Sequence, residues 1–204
     1  MREDRSFAEN RLGLIVLIST SVIFTAFSAY INILKFKIFS TTAFGWSYPY
    51  VYSKLFNGSS IFTSYVLPEY AVLYFSLSPI NYIFAFFYKF FSKPEALLIF
   101  QSIIVTSGCI PLYLIAKERL NGIYLPIAVS ISYLLHPIVA SGAILGYIPI
   151  SVGLPLLLFS FYYLEQNNFN KFILFIILAN MSKIDVVVMT FILGVILLFS
   201  KQKK

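Results

Sequence analysis

The sequence predicts an all-α integral membrane protein of about six transmembrane helices, with a long external first loop that carries a membrane-lying helix. Hydrophobic residues make up 59% of the 204 residues and charged residues only 11%, whereas soluble domains carry about 25% charged residues. Mean hydropathy is +0.86. The charges stand in small groups between apolar runs of about 20 residues, the length that crosses a bilayer as a helix. Residues 1–204 are therefore expected to form one transmembrane domain.

The first apolar run covers residues 12–34, between Arg11 and Lys35. As a helix it would be roughly 35 Å long, enough for a hydrocarbon core of about 30 Å. A cleavable signal peptide is the alternative, but its apolar region would be only about 7–15 residues long, so we expect a retained span. The same spacing of charges predicts five further spans, at 70–88, 96–116, 121–140, 146–164 and 172–200.

The fourth and fifth spans depend on a predicted break. An uncharged stretch of 45 residues separates Arg119 from Glu165, and one crossing needs only about 20. Pro137, Gly142 and Gly146 lie near the middle of this stretch, and Pro and Gly interrupt regular structure. We therefore expect two helices here rather than one.

The sixth span contains two charges in an otherwise apolar stretch, Lys183 and Asp185, shortly after Asn180. A charge at the bilayer centre costs at least ~2.5 kcal/mol. Residues two apart on a helix lie about 200° apart, so these two are not expected to pair on one regular helical face. Either the stretch breaks into two short helices, or each charge finds its own partner or water. A pocket for an anionic or sugar substrate and a simple surface loop both remain open.

The predicted external loop, residues 35–69, is rich in Tyr, Phe, Ser and Gly and contains Trp46. Since Tyr and Trp favour the headgroup region, we expect a short helix lying on the membrane at roughly 44–56. Asn57 begins an Asn-Gly-Ser pattern for N-glycosylation. Lys and Arg number eight on the side of the N-terminus and six on the other, which favours a cytoplasmic N-terminus in the cell membrane.

The residue inventory argues against several classes of function. The net charge is +7, but the 15 basic residues form no dense tract, so we expect membrane lipid and no nucleic acid as a partner. Cys109 is the only cysteine and His136 the only histidine. They are predicted to be a small core residue and a satisfied polar residue at a helix end. Hydrolytic triads and histidine-rich metal sites are excluded, and no cofactor is identified.

Glu69 is the only acidic residue between Lys35 and Lys89. A catalytic base on the external loop would therefore have to be Glu69. The alternative is a carboxylate that caps the second span at the membrane interface.

Several short motifs occur in a characteristic order, at 77–82, 93–102, 108–117, 132–137 and 183–185. In this order they resemble the uncharacterised prokaryotic membrane family called domain of unknown function 2079. The similarity covers roughly residues 40–199 and rests mainly on the run from Ser78 to Lys117.

That family is similar to the GT-C superfamily of membrane glycosyltransferases, which transfer sugar from a polyprenyl-phosphate carrier outside the cytoplasm. The resemblance implies an essential aspartate in the first external loop, and by analogy it allows a divalent metal. This chain reads Thr-Ala-Phe-Gly at 42–45, where the family has an acidic motif, and has no aspartate between Asp4 and Asp185. It therefore resembles the N-terminal module of such an enzyme without its catalytic acids and metal ligands.

The favoured function is that of a degenerate, non-catalytic relative, which binds a lipid-linked sugar, polyprenyl phosphate or a partner subunit. Lys183, Asp185 and Asn180 are the candidate contacts to lipid phosphate. One alternative is an active glycosyltransferase that uses a polyprenyl-phosphate sugar, with Glu69 as a substitute base, so the sequence leaves open whether the protein is an enzyme. The other is a small transporter or channel subunit, which the few polar residues at membrane depth disfavour.

Overall fold

The computed structural model of the chain describes residues 2–40, 78–91, 93–120 and 122–201. These residues form helices and no strand, which confirms the predicted all-α class. The helices, in chain order, are α1 (Arg2–Lys37), α2 (Ile80–Phe91), α3 (Pro94–Ser107), α4 (Cys109–Arg119), α5 (Tyr124–Leu135), α6 (Pro137–Ile144), α7 (Pro149–Glu165), α8 (Phe169–Asn180) and α9 (Ile184–Lys201).

Two stretches are long and apolar enough to cross a membrane. One is Gly13–Lys37 in α1, with a mean hydropathy of 2.1, and the other is Pro94–Arg119, with 1.9. The second stretch joins α3 to α4 because Gly108 keeps a right-handed helical conformation. A Cβ atom at Gly13 would lie 2.9 Å from the Tyr113 hydroxyl, so this glycine lets α1 approach α4 closely.

Helices α5 and α6 together reach the length of a span but are bent by 51°. The bend lies at His136, because a proline disfavours the helical conformation in the residue before it. Nδ1 of His136 accepts a hydrogen bond of 3.3 Å from the Ile138 N–H, which caps α6. The prediction of a satisfied histidine at a helix end is therefore confirmed. The chain is interrupted again at 145–148, before α7.

The last predicted span consists of two helices, α8 and α9, which are separated by residues 181–183. Such breaks shorten the helices. By length and composition, the described residues contain two membrane-crossing helices, or three if the bent pair counts as one span, and several shorter apolar helices. Six spans, their limits and a single transmembrane domain therefore stay predictions.

The helices pack around a largely apolar interior and also expose large apolar side chains. Cys109 is fully buried, which confirms its predicted place in the core. On the outside, Ile23 of α1 and Phe191 of α9 are 67% and 72% exposed. A soluble protein avoids such extended apolar faces, whereas hydrocarbon solvates them. An ion pair between Arg119 and Glu165 joins α4 to α7 at one end of the bundle.

Several sequence-based predictions lie outside the described residues. They are the membrane-lying helix at 44–56, most of the external loop at 35–69 and the beginning of the span at 70–88. The cytoplasmic N-terminus and the location in the cell membrane also stay predictions.

Candidate functional site

Three irregular segments meet inside the bundle: residues 78–79 before α2, 145–148 between α6 and α7, and 181–183 between α8 and α9. We call this arrangement the junction. The N–H of Ile80, the first residue of α2 and the one directly after the first segment, donates to the Met181 carbonyl of the third segment at 2.9 Å. The Tyr147 hydroxyl donates to Oδ1 of Asn81 at 3.1 Å, which joins the second segment to α2.

Two fully buried amide side chains hold the segment at 145–148. Nε2 of Gln101 donates to the carbonyls of Gly142 at 2.7 Å and Gly146 at 3.0 Å, and its Oε1 accepts from the Ile148 N–H at 3.0 Å. Nδ2 of Asn32 donates to a carbonyl of α6 at 3.0 Å, and its Oδ1 accepts from the Gly146 N–H at 2.9 Å. Irregular backbone is tolerated inside a membrane protein only where its polar groups find such partners.

The conformation of Gly146 explains why the segment needs side-chain partners. Its φ is +93°, a region that side chains rarely adopt. Here the chain leaves the helical path, so its N–H and carbonyl groups lose their helical partners. Gln101 lies seven residues after Pro94, and thus roughly 10 Å inside one end of the long α3–α4 helix.

The site residues predicted from the sequence do not include this amide network, because they were chosen around the charges Lys183 and Asp185. The available signal was the pair of uncharged amides inside predicted spans, Asn32 in 12–34 and Gln101 in 96–116. Such side chains hydrogen-bond across membrane helices. Their partners, 41 to 114 residues away, had no local signal.

An ion pair connects the third segment of the junction to α9. Nζ of Lys183 lies 2.9 Å from Oδ2 of Asp185, and the two side chains are 33% and 56% exposed. The prediction that they would not pair on one regular helical face assumed an unbroken helix. The chain breaks at 181–183, so Lys183 precedes the first turn of α9 and reaches Asp185. Asp185 also carries a negative charge at the positive end of the α9 dipole.

The other predicted site residues are placed differently. Asn180 ends α8, and its Oδ1 accepts a hydrogen bond of 2.8 Å from the Thr190 hydroxyl. Asn180 therefore connects α8 to α9. Glu69 and Asn57 lie outside the described residues. Within the part of the chain that the structure describes, no group of three or more His, Cys, Asp or Glu residues could hold a metal ion.

The arrangement divides the polar groups of the junction into two kinds. The amides of Asn32 and Gln101 are fully buried and are occupied by backbone groups, so they form a scaffold. Lys183 and Asp185 are partly exposed and can exchange partners. Lys183 and Asp185 therefore present a cation and an anion at the partly exposed break between α8 and α9.

A family model described as "Predicted membrane protein (DUF2079)" matches residues 52–204. No curated protein and no solved structure matches the chain. The matched range includes α2 to α9 and all three segments of the junction.

Proposed function

The chain belongs to the DUF2079 family of predicted membrane proteins, and we propose that it binds the phosphate group of a lipid carrier, polyprenyl phosphate or its sugar adduct, without catalysing a reaction on it. One observation carries this proposal. The side chain of Lys183 is one-third exposed, and the residue lies at a break between two apolar helices.

The cost of placing a charge there supports a binding role. A lysine at the bilayer centre costs at least ~2.5 kcal/mol, and intramembrane ionisable groups generally mark a functional site. Asp185 offsets part of this cost by pairing with Lys183 at 2.9 Å. Because the pair remains partly exposed, a phosphate can reach Lys183 and form a charge-assisted hydrogen bond, which is about twice as strong as a neutral one.

The missing acids support binding rather than catalysis. The chain has no aspartate between Asp4 and Asp185, so the acidic motif expected of a GT-C enzyme has no counterpart. The relationship to GT-C glycosyltransferases is itself part of the proposal. A binding protein needs only the cation and a fixed frame, and the amide scaffold at 145–148 supplies that frame.

We expect that Lys183→Met retains roughly tenfold less polyprenyl phosphate than the wild type, as loss of a charge-assisted contact worth about 1.4 kcal/mol would cause. The measurement is mass spectrometry of lipid that stays bound after purification and exchange into a defined detergent. The matched control is Lys171→Met, which removes the same charge from the other end of α8, where Lys171 lies over the Tyr163 ring at 5.0 Å. Equal retention by both variants would contradict the proposal.

An active transferase is the second candidate, and the position of residues 78–79 favours it. The stretch that contains Glu69 rejoins the described structure at Ser78, which is buried, and the next helix bonds to Met181, two residues before Lys183. If Glu69 is the base, Glu69→Gln is expected to lower sugar transfer from a polyprenyl-phosphate donor at least 100-fold, the lower range for general base catalysis. Transfer that survives this substitution undiminished would rule out the base, and Glu95→Gln serves as the control.

A further inference from the structure

A cavity of about 280 Å³ lies directly beside the ion pair. Asp185 lines it, together with Val186 and Met189 of α9, and further lining residues are Leu154 of α7 and Ile138 of α6. Asp185 is therefore both the partner of Lys183 and part of the cavity wall, whereas Lys183 lies next to the lining and is not one of the lining residues.

The walls are almost entirely apolar. The Tyr133 hydroxyl, one of the few polar groups in the lining, donates to the Val105 carbonyl at 2.8 Å. Ile138 and Met189 are 71% and 61% exposed. The cavity is thus open at the exposed apolar surface of the bundle, and its charged lining residue is Asp185.

We propose that this cavity receives the hydrocarbon chain next to the phosphate of a single-chain lipid phosphate while Lys183 binds the phosphate. This inference rests on the proposed function. It adds a site for the hydrocarbon chain of the lipid, which the charge of Lys183 does not bind. A space of about 280 Å³ is slightly smaller than the ~300–1,000 Å³ of pockets that hold a whole small ligand. It therefore holds the first part of one chain, and the remainder lies in the bilayer.

Shape, rather than hydrophobicity, gives this cavity its selectivity. A lipid chain in the bilayer is already in hydrocarbon, so entering the protein gains no hydrophobic free energy. A cavity of about 280 Å³ has room for part of one chain beside the phosphate, whereas a glycerophospholipid brings two chains to the same point. The protein is therefore expected to retain a polyprenyl phosphate in preference to phosphatidic acid, although both carry a phosphate monoester.

The test is photo-crosslinking of the purified full chain with a polyprenyl phosphate that carries a diazirine in its first two isoprene units. We expect adducts on the peptides of α6, α7 and α9 that line the cavity, and competition by unlabelled polyprenyl phosphate at concentrations at least tenfold lower than by phosphatidic acid. Met189→Trp narrows the cavity and is expected to remove these adducts. Ile192→Trp places the same ring on an exposed position of α9 outside the lining and is expected to keep them.

The outcomes separate the two proposals. Lys183-dependent retention of the lipid with adducts spread over other apolar surfaces would overturn the cavity and leave the phosphate site standing. Retention that does not depend on Lys183 would overturn both. Equal competition by inorganic phosphate and polyprenyl phosphate would also overturn the cavity, because the chain would then contribute nothing. The wild-type adduct map decides the question even if Met189→Trp does not fold.

Discussion

Replacing Gln101 with leucine is expected to lower the free energy of unfolding by about 2–5 kcal/mol, because each buried polar group left without a partner costs about 1–3 kcal/mol. The substitution removes three hydrogen bonds at once, to the carbonyls of Gly142 and Gly146 and to the Ile148 N–H. Leucine is similar in volume, so the effect measures lost hydrogen bonds rather than a cavity. Reversible unfolding in mixed detergent micelles measures it.

The irregular backbone at 145–148 explains why Gln101→Leu should destabilise the protein more than the loss of ordinary hydrogen bonds between membrane helices. Hydrogen bonds between membrane helices contribute about 0.6 kcal/mol on average, because the separated helices find other partners. The Ile148 N–H and the Gly146 carbonyl lie outside α6 and α7, so no helical partner can replace Gln101.

The control lies at the next position. Ser102 is also fully buried, but its hydroxyl donates to the Leu98 carbonyl of its own helix at 2.9 Å. Ser102→Ala removes one local bond to a carbonyl that a helix satisfies anyway, so we expect a loss below about 1 kcal/mol. Similar losses for the two variants would show that the amide of Gln101 does not hold the segment.

The break between α8 and α9 shows how much of the site a sequence can predict. Lys183 and Asp185 in an apolar stretch indicated either a broken helix or separate partners, and the chain is broken at 181–183. Their pairing at 2.9 Å was not predicted, because the 200° separation applies only to a continuous helix. Charge patterns thus locate a polar position in the chain but do not determine its local geometry.

The amide scaffold could not be derived in the same way. Asn32 binds Gly146, which lies 114 residues later, and a single sequence carries no signal for such a contact. The bend at His136 lies next to Pro137, where the sequence predicts a break, because a proline restricts the backbone of the residue directly before it. Local steric effects are therefore visible in the sequence, while contacts between distant helices depend on packing.

Gly153→Ala is expected to destabilise the protein by about 1–3 kcal/mol, the usual cost of overpacking a close contact. A Cβ at Gly153 would overlap the Ser182 hydroxyl and lie 3.1 Å from Cγ2 of Val186. Ser182 is fully buried and its Oγ donates to the Ala179 carbonyl at 2.6 Å, so it cannot move freely. The added methyl group must push the segment at 181–183 away from α7, and Lys183 with it.

The functional consequence distinguishes this displacement from general instability. Retention of polyprenyl phosphate is expected to fall roughly tenfold, as loss of about 1.4 kcal/mol in binding would cause, even where the variant remains folded in detergent. Gly194→Ala is the control, because nothing lies within 4 Å of a Cβ there and alanine favours a helix by about 1 kcal/mol.

A compensating substitution tests the geometry directly. Ser182→Gly removes both side-chain atoms of Ser182 that the new methyl group would meet, so the double variant should regain stability and lipid retention relative to Gly153→Ala. Such non-additivity is expected only of residues in contact. If the loss of stability and lipid retention in the double variant equals the sum of the losses in the two single variants, Gly153 does not set the position of the break. In that case the tight packing of α7 against 181–183 would not be what holds Lys183 in position beside Asp185.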